Sequence, residues 1–289
     1  MPADDINLWA TAQPDTSVKV RNIPTHTTRG WAAVEEMVGL PCSNLKISAA
    51  GTNAITVTFD HLGFLKHSGA AAALPPYFIQ SDLSVTTYTV DIDNGAAING
   101  YEAGMALTAG WKYLYALRNP ATGTTGLLLS TDAALNDVTL PAGYTHGRRV
   151  GVFYFDATNF RQGRQHDNRY MGVGPLELLA SGTATAWTVI SASIATFLPP
   201  VGILRRIILH IYPLNTTSNE YTKVLIADDV SGNYVTAVSG ICRASAATWT
   251  LFYVEQEIVT ASDPYYKVSS AAGTTAKATI ELLGFYIVL

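Results

Sequence analysis

Two glutamates in the last third of the chain are the best candidates for catalytic chemistry. Glu255 and Glu257 lie in a segment that predicts a β-strand. Their side chains would share one face about 7 Å apart, a separation that suits the acid and base of an inverting glycosidase. Two carboxylates on one strand face are more often a solvated surface, and the sequence has no GxSxG, HExxH or P-loop motif. We therefore expect no enzymatic activity.

Three acidic residues are spaced in a way that invites a calcium-loop interpretation. Asp91, Asp93 and Glu102 fit part of the EF-hand pattern. That loop needs glycine at its sixth position, where this chain has Ala96, and it needs helices on both sides, which the pattern does not predict. The pair Asn94-Gly95 is instead typical of a β-hairpin. We therefore expect a hairpin here, with no metal and no cofactor.

Histidines and cysteines give no stronger metal site. His61 and His67 are further apart than most metal-ligand pairs, and Cys42 is the only thiol near them in sequence. We expect both histidines to be ordinary surface or core residues. Cys42 and Cys242 form no CxxC pair and no disulfide framework, so two buried free thiols are expected.

Aromatic residues late in the chain are candidates for a sugar-binding surface. Trp249, Tyr253, Tyr265 and Tyr266 could form a platform on which a glycan stacks. Aromatic residues in a β-sandwich more often fill the core. Both interpretations stay open on the sequence alone.

The densest polar cluster of the chain lies near its middle. Arg161, Arg164, His166, Asp167 and Arg169 follow one another within nine residues. One interpretation is a solvated linker between domains. The other is a charged contact between subunits or with a neighbouring protein, for which Arg161, Arg164 and Arg169 are the candidate interface residues.

Alternating hydrophobic and polar residues predict that the chain beyond residue 45 is mostly β-structure. Within 54–60, Ile55, Val57 and Phe59 point one way while the residues between them are polar. Further predicted strands are 83–92, 111–118, 127–130, 149–156, 186–191, 203–212, 221–228, 234–238, 248–258, 265–269 and 276–289.

These strands predict an all-β protein of two tandem antiparallel domains, each a β-sandwich or jelly roll. A chain of 289 residues is long enough for about two domains. We place the first domain at 42–156, the linker at 157–171 and the second domain at 172–289. Turn signals recur often enough for sandwich strands.

The first 41 residues have no strand periodicity. Trp31, Val34 and Val38 recur at helical spacing before Gly39, which predicts one short helix. The segment has too many apolar residues for a disordered tail, so we expect an attachment element that docks on a neighbouring subunit or on another protein. The alternative is an arm that folds back on its own first domain. The apolar candidates are Ile6, Leu8, Trp9, Val18, Val20, Ile23 and Trp31.

The composition of the chain limits the classes of partner that it is expected to bind. The chain has 14% charged residues, a formal net charge of -4 and no run of more than two Lys or Arg residues, so we expect no nucleic-acid binding. The most apolar run, 201–214, carries Arg205, Arg206 and His210, so we expect no membrane insertion. The acidic start predicts no signal peptide. Low charge fits a surface that meets other protein, or a β-protein with uncharged polar loops.

One ordered set of motifs resembles a known family. WKYLYAL begins at Trp111, LLLS ends at Ser130, PAGY ends at Tyr144 and RRVG begins at Arg148. This order resembles a module found in virion proteins of tailed bacteriophages, especially tail fibres and tail-associated proteins. The second half is similar, more loosely, to the β-sandwich that often follows that module, with LPP at 198–200 and GFYI at 284–287.

The resemblance implies a structural protein of the phage virion, made in the host cytoplasm. It implies a tail-associated fibre or adaptor that assembles with itself, as a trimer, and with other virion proteins. A host-surface glycan-binding adhesin of the tail, and a capsid decoration or head fibre protein, are the alternatives. The family has no catalytic residues to carry over.

Overall fold

The protein is nearly all β-strand in the parts of the chain that its structure, a computed structural model, describes. These parts are residues 42–81, 86–190, 196–200, 202–215, 220–232, 235–242, 251–259, 263–270 and 276–289. Within them the regular structure is strands and a few short 3-10 turns, which confirms the all-β prediction. The predicted arm and short helix of residues 1–41 lie outside the described residues.

The strands are short in the first half and longer in the second. The first nine are β1 (Cys42–Ser43), β2 (Lys46–Ala49), β3 (Ala54–Thr58), β4 (His61–Lys66), β5 (Tyr77–Ser81), β6 (Tyr88–Asp91), β7 (Gly110–Arg118), β8 (Thr125–Ser130) and β9 (His146–Phe155). The others are β10 (Gly163–His166), β11 (Arg169–Gly182), β12 (Thr188–Val189), β13 (Leu204–Asn215), β14 (Glu220–Ala227), β15 (Thr236–Cys242), β16 (Phe252–Glu257), β17 (Tyr265–Ser270) and β18 (Ala276–Ile287).

Three antiparallel sheets contain these strands. The largest, which we call the shared sheet, has the order β16-β13-β18-β11-β10-β2-β3-β6. A first-half sheet has the order β1-β4-β9-β7-β8, with β5 also paired to β4. A second-half sheet has the order β12-β17-β14-β15. The shared sheet therefore takes strands from both halves of the sequence.

The inner face of the shared sheet packs against the first-half sheet through aromatic rings. Phe153 of β9 meets Tyr170 of β11 edge to face at 5.7 Å between ring centres. Trp111 of β7 meets Phe285 of β18 at 5.9 Å. Edge-to-face pairs add about 0.5–1.5 kcal/mol to the free energy of burying the rings. The two sheets thus form one sandwich core.

The second-half sheet joins the same core near the other end of β11 and β13. A Cβ added to Gly182 of β11 would lie 2.5 Å from the Tyr266 hydroxyl of β17. The Thr222 hydroxyl of β14 donates to the backbone carbonyl of Leu214 at 2.9 Å. The buried hydrophobic residues of all three sheets belong to one connected cluster.

The long predicted strands are confirmed. The predictions at 111–118, 203–212 and 276–289 correspond to β7, β13 and β18. The predicted partner of the first of these is also confirmed, because β8 pairs with β7 along its length. Strong hydrophobic alternation is therefore a sufficient signal where a strand has an apolar inner face.

The prediction that 157–171 is a linker is wrong, because this segment contains strands. Residues 163–166 of this segment form β10 and residues 169–171 begin β11, in the middle of the shared sheet. Gly163 and Gln165 are buried, while Arg164 and His166 are exposed, so β10 alternates without any apolar residue on its inner side. Gly163 is required because a Cβ there would overlap the Tyr170 ring. Because the buried residues of β10 are a glycine and a hydrogen-bonded glutamine, hydrophobic alternation does not indicate a strand here.

The predicted hairpin at Asn94-Gly95 is also wrong. Residues Ile92–Asn94 form a 3-10 turn. The Asp91 side chain caps its start by accepting a hydrogen bond from Asp93 N at 2.9 Å. Gly95 has φ 73°, which glycine adopts at little cost. β6 pairs with β3, and not with a strand after the turn.

The predicted domain boundaries separate strands that share a sheet. β2, β3 and β6 of the predicted first domain lie in the same sheet as β13, β16 and β18 of the predicted second domain. Independent folding of 42–156 and 172–289 stays a prediction. Among the described residues, no helix has the length and apolar character needed to cross a bilayer.

Candidate functional site

The outer face of the shared sheet carries a row of polar side chains from four adjacent strands. Lys46 of β2 lies opposite His166 of β10, and His166 lies opposite Arg169 of β11. Arg169 in turn lies opposite Tyr286 of β18. Successive strand residues point to opposite faces. Because the neighbours of these four residues along each strand are the buried ones, the row faces outward.

A groove of about 800 Å³ runs over this row. Its floor also includes hydroxyl side chains of β2 and β3, at Ser48, Thr56 and Thr58. We call it the outer groove, and its principal residues are Lys46, Ser48, Arg164, His166, Arg169 and Tyr286. Lys46, Arg164 and His166 are exposed, and Arg169 and Tyr286 are half-buried.

One end of the outer groove is built by tyrosines and arginines that bond to one another. Arg169 Nη2 donates to the Tyr253 hydroxyl at 2.7 Å. The Tyr286 hydroxyl donates to Glu255 Oε1 at 2.9 Å, and Arg206 Nη1 donates to Glu255 Oε2 at 2.9 Å. The guanidinium carbons of Arg169 and Arg206 each lie 5.9 Å from the centre of the Tyr286 ring. These contacts hold the Arg169 side chain in place.

Glu255 accepts several hydrogen bonds of that network, and the lowered pKa of its carboxyl does not suit a general acid. Partial burial alone would raise the pKa of its carboxyl, but hydrogen bonds from Arg206, Tyr286 and Tyr253, with the charge of Arg206, lower the pKa below its usual value. A general acid needs a raised pKa so that it keeps its proton near neutral pH. Glu257 lies opposite Arg206 in the ladder between β16 and β13. The absence of enzymatic activity stays a prediction.

The three arginines of the predicted interface fall in two places. Arg164 and Arg169 line the outer groove. Arg161 lies elsewhere, with its guanidinium carbon 4.7 Å from the Tyr154 ring centre and 4.4 Å from that of Phe197. Its Nη1 donates to the Thr196 carbonyl at 2.7 Å. Arg161 therefore fastens a loop to β9, and the interface role of the three arginines stays a prediction.

The three described residues of the predicted sugar platform, Tyr253, Tyr265 and Tyr266, do not form one exposed surface. Tyr253 is half exposed on β16 and reaches Arg169. Tyr266 is only 4% exposed in the second-half sheet, so its ring fills the core and cannot stack on a glycan. Tyr265 lies on that same sheet, opposite Val189 and Ala227. Trp249 lies outside the described residues, and glycan binding as a function stays a prediction.

The apolar residues of the arm also lie outside the described residues. They are the candidate attachment residues Ile6, Leu8, Trp9, Val18, Val20, Ile23 and Trp31. Their role stays a prediction.

The acidic residues of the calcium interpretation are held apart. Asp93 Oδ2 accepts from Asn53 Nδ2 at 2.6 Å. Glu102 is buried, where it accepts from the Ser130 hydroxyl and the Thr139 amide. Across the described ranges, no three His, Cys, Asp or Glu side chains are grouped so that they could hold a metal ion.

Sequence reasoning missed Lys46, Arg206 and Tyr286 as members of the site. Lys46 and Tyr286 each stand next to buried residues in a strand, so alternation alone predicts that they face outward. Arg206 lies within an apolar strand, where a charged side chain must reach the opposite face. What the sequence does not give is the strand order that joins residues 46, 166, 169 and 286.

Comparisons with known proteins give little further guidance. No family model matches the chain, and no curated protein matches it. Among solved structures, it is similar to the Bacillus thuringiensis insecticidal crystal protein Cry7Ca1 at 10% identity and a TM-score of 0.22. That match covers 86% of this chain and 52% of the crystal protein.

Proposed function

We propose that this chain is a structural component of a bacteriophage virion, associated with the tail as a fibre or adaptor. It acts without catalysis, assembles with copies of itself as a trimer and joins other virion proteins. The support comes from the resemblance of residues 111–156 to a phage virion module, from the low charge and from the all-β fold.

The observation that carries this proposal is that the resembling segment folds as one unit. β7 pairs with β8 on one side and with β9 on the other, and Leu127, Leu128 and Leu129 of the LLLS motif are all buried. The PAGY turn places Gly143 at φ 84°, where an added Cβ would also lie 2.6 Å from Asn119 Nδ2. The fold therefore explains why leucines and a glycine occur at these motif positions.

The two resembling parts of the chain also contact each other. Arg149 of the RRVG motif donates from Nη2 to the carbonyl of Val288 at 2.7 Å. Trp111 packs on Phe285, within the GFYI motif of the last strand. These contacts support treating the first module and the following β-sandwich as one assembly unit.

Particle association and oligomeric state test the proposal together. Light scattering after size-exclusion chromatography is expected to give the mass of a trimer of the 30.9 kDa chain. Antibody labelling of purified phage particles is expected to place the chain on the tail. A persistent monomer that is also absent from particles would refute the proposal. Labelling of the head at a copy number matched to the capsid would favour the decoration alternative.

A truncation tests the attachment role of the amino-terminal arm. Removal of residues 1–26 is expected to leave the melting temperature in dilute solution nearly unchanged while particle assembly is lost. Several buried apolar side chains at about 1.5–3 kcal/mol each could hold a subunit in place. If the truncation instead unfolds the first domain, the arm belongs to that domain's core.

A second candidate function, a tail adhesin for host-surface glycans, is favoured by the outer groove. Its polar floor and the Tyr286 ring in its wall, with the half-exposed Tyr253 beside Arg169, offer hydrogen bonds and ring faces on the sheet. Binding of the purified protein to host cells or isolated cell-wall glycan tests this candidate. Absence of any such binding leaves the structural role alone.

A further inference from the structure

We propose that the outer groove binds an acidic saccharide, with Lys46, Arg164 and Arg169 holding its anionic group. This inference deepens the adhesin candidate by naming the site and the class of sugar, and it rests on that candidate only for its biological setting. The tail location of the chain can be wrong without affecting it.

The three permanent cations lie close together on the sheet. His166 lies directly opposite both Lys46 and Arg169, and Arg164 lies on the same face two residues before His166. Directly opposite residues in an antiparallel ladder have Cα atoms about 4.5–5.5 Å apart, and diagonal neighbours about 7–8 Å apart. The screening length at physiological salt is about 8 Å. Their fields therefore add at the centre of the groove.

Little negative charge on the described chain balances these cations. Asp167 lies 3.4 Å from His166 Nδ1, and its other oxygen accepts from Leu45 N at 3.1 Å. Glu255, at the far end, is paired with Arg206 at 2.9 Å. No ion pair of Lys46, Arg164 or Arg169 with a carboxylate is found in the described ranges. Like charges on facing strands are destabilising, so an added anion would be stabilising.

The cations also have donor groups left for a ligand. Lys46 and Arg164 make no side-chain hydrogen bond to the described part of the chain. Arg169 Nη2 is fixed on Tyr253, and this contact orients the guanidinium beside the groove that Arg169 lines. A guanidinium that is already oriented loses less side-chain entropy when it binds an oxyanion.

The rest of the groove suits a sugar more than another anion. Ser48, Thr56 and Thr58 add hydroxyl groups beside the cations, and the Tyr286 ring forms part of the wall. Sugars carry hydroxyls that pair with such groups and apolar ring faces that pack on aromatic rings. A groove of about 800 Å³ on an open sheet has room for several sugar units of a polymer.

Nucleic acid fits these observations less well. The chain has a formal net charge of -4 and its cations do not extend into a long basic stripe. Binding to single strands also uses successive aromatic platforms. In the described part of the groove, Tyr286 is the only tyrosine, tryptophan or phenylalanine of the lining.

The test measures binding by calorimetry to a short oligogalacturonate, a sulfated dextran fragment, a neutral malto-oligosaccharide and a thymidine oligonucleotide. The first two distinguish carboxylate from sulfate as the preferred oxyanion, and at least one of them is expected to bind. The double variant Lys46→Gln with Arg164→Gln is expected to weaken that binding by at least about tenfold, because charge-assisted hydrogen bonds are lost. Added salt is expected to weaken it as well.

A matched control removes the same charge elsewhere. Arg205→Gln with Lys223→Gln lowers the formal net charge of -4 by the same two units, and neither residue lines the groove. This variant is expected to bind within about twofold of the parent, as for substitutions remote from a site. Both variants are expected to keep the parent melting temperature.

Four results would overturn the inference. These are no saturable binding of either acidic sugar, equal binding of the neutral sugar, equal loss in both double variants, or tighter groove-dependent binding of the oligonucleotide. Particle assembly of the groove variant separates the two proposals. Loss of sugar binding with normal assembly supports the inference, and normal assembly without any sugar binding refutes it while the virion role stands.

Discussion

On β10 the inner face of the shared sheet carries Gly163 and Gln165, and the outer face carries Arg164 and His166. The inner pair is fixed by its surroundings. Gly163 leaves room for the Tyr170 ring, and Gln165 Nε2 donates to the carbonyls of Val150 at 2.7 Å and Asp167 at 2.6 Å. Among the described residues, no hydrogen bond or ion pair holds the Arg164 side chain. A single four-residue strand thus separates side chains that the fold requires from side chains that it leaves free for binding.

The largest expected effect of this difference is at two consecutive residues of β18. Phe285 stacks on Tyr170 at 4.6 Å between ring centres inside the core, while Tyr286 faces outward. Phe285→Ala is expected to lower the free energy of unfolding by about 3–5 kcal/mol, because it removes buried area and leaves a cavity. Tyr286→Phe is expected to cost about 1 kcal/mol or less. Urea denaturation of both variants measures the contrast, and equal losses would contradict it.

A smaller effect is expected at two consecutive residues of β10. Gln165→Ala removes the donor to the buried carbonyl of Val150 and to the partly buried carbonyl of Asp167, which costs about 1–3 kcal/mol. Arg164→Ala is expected to change stability by about 0.5 kcal/mol or less, as for most surface substitutions. Thermal melting followed by circular dichroism compares them. A greater loss for Arg164→Ala would mean that the outer face is structural too.

The smallest effect concerns pH, and it separates a buried histidine from an exposed one. His146 is fully buried beside Phe78, and burial lowers the pKa of its imidazole, an effect that its hydrogen bond to the Pro75 carbonyl opposes. The unfolded chain takes up a proton near pH 6.5, where the folded chain does not yet do so. Stability is therefore expected to fall as the pH drops below about 6.5 towards the lowered folded pKa.

Two histidine variants check this pH dependence. His146→Gln is expected to remove part of the loss of unfolding free energy between about pH 7 and pH 5. His166→Gln, at a side chain that is 62% exposed, is expected to keep that loss. Chemical denaturation at several pH values measures the slopes. Identical slopes in the parent and His146→Gln would show that other groups cause the dependence.

The residues on the inner face of a strand determine whether that strand could be predicted from the sequence. β7, β13 and β18 have strongly apolar inner faces, and alternation predicts them closely. The linker prediction fails at β10 because the inner face of this strand is a glycine and a glutamine, which fit there only through contacts with Tyr170 and Val150 in other strands. Tertiary contacts of that kind leave no local pattern.

The candidate site was only partly predictable for the same reason. Arg164 and Arg169 stand out as a dense polar cluster in the sequence, but their neighbours Lys46 and Tyr286 are more than a hundred residues away. The site exists because β2, β10, β11 and β18 are adjacent in the shared sheet. That order depends on which edges meet during folding, and hydrophobic periodicity does not determine it.

The position of β18 has a consequence for synthesis on the ribosome. β18 follows every other described strand in sequence, yet it lies between β13 and β11 within the shared sheet. Until residues 276–287 have been translated, those two strands have no partner between them and present open edges to other nascent chains. Such edges invite intermolecular strand pairing, and pairing of strands that are distant in sequence is slow. Translation pauses and truncation late in the message are therefore the stage at which this chain is most exposed to aggregation.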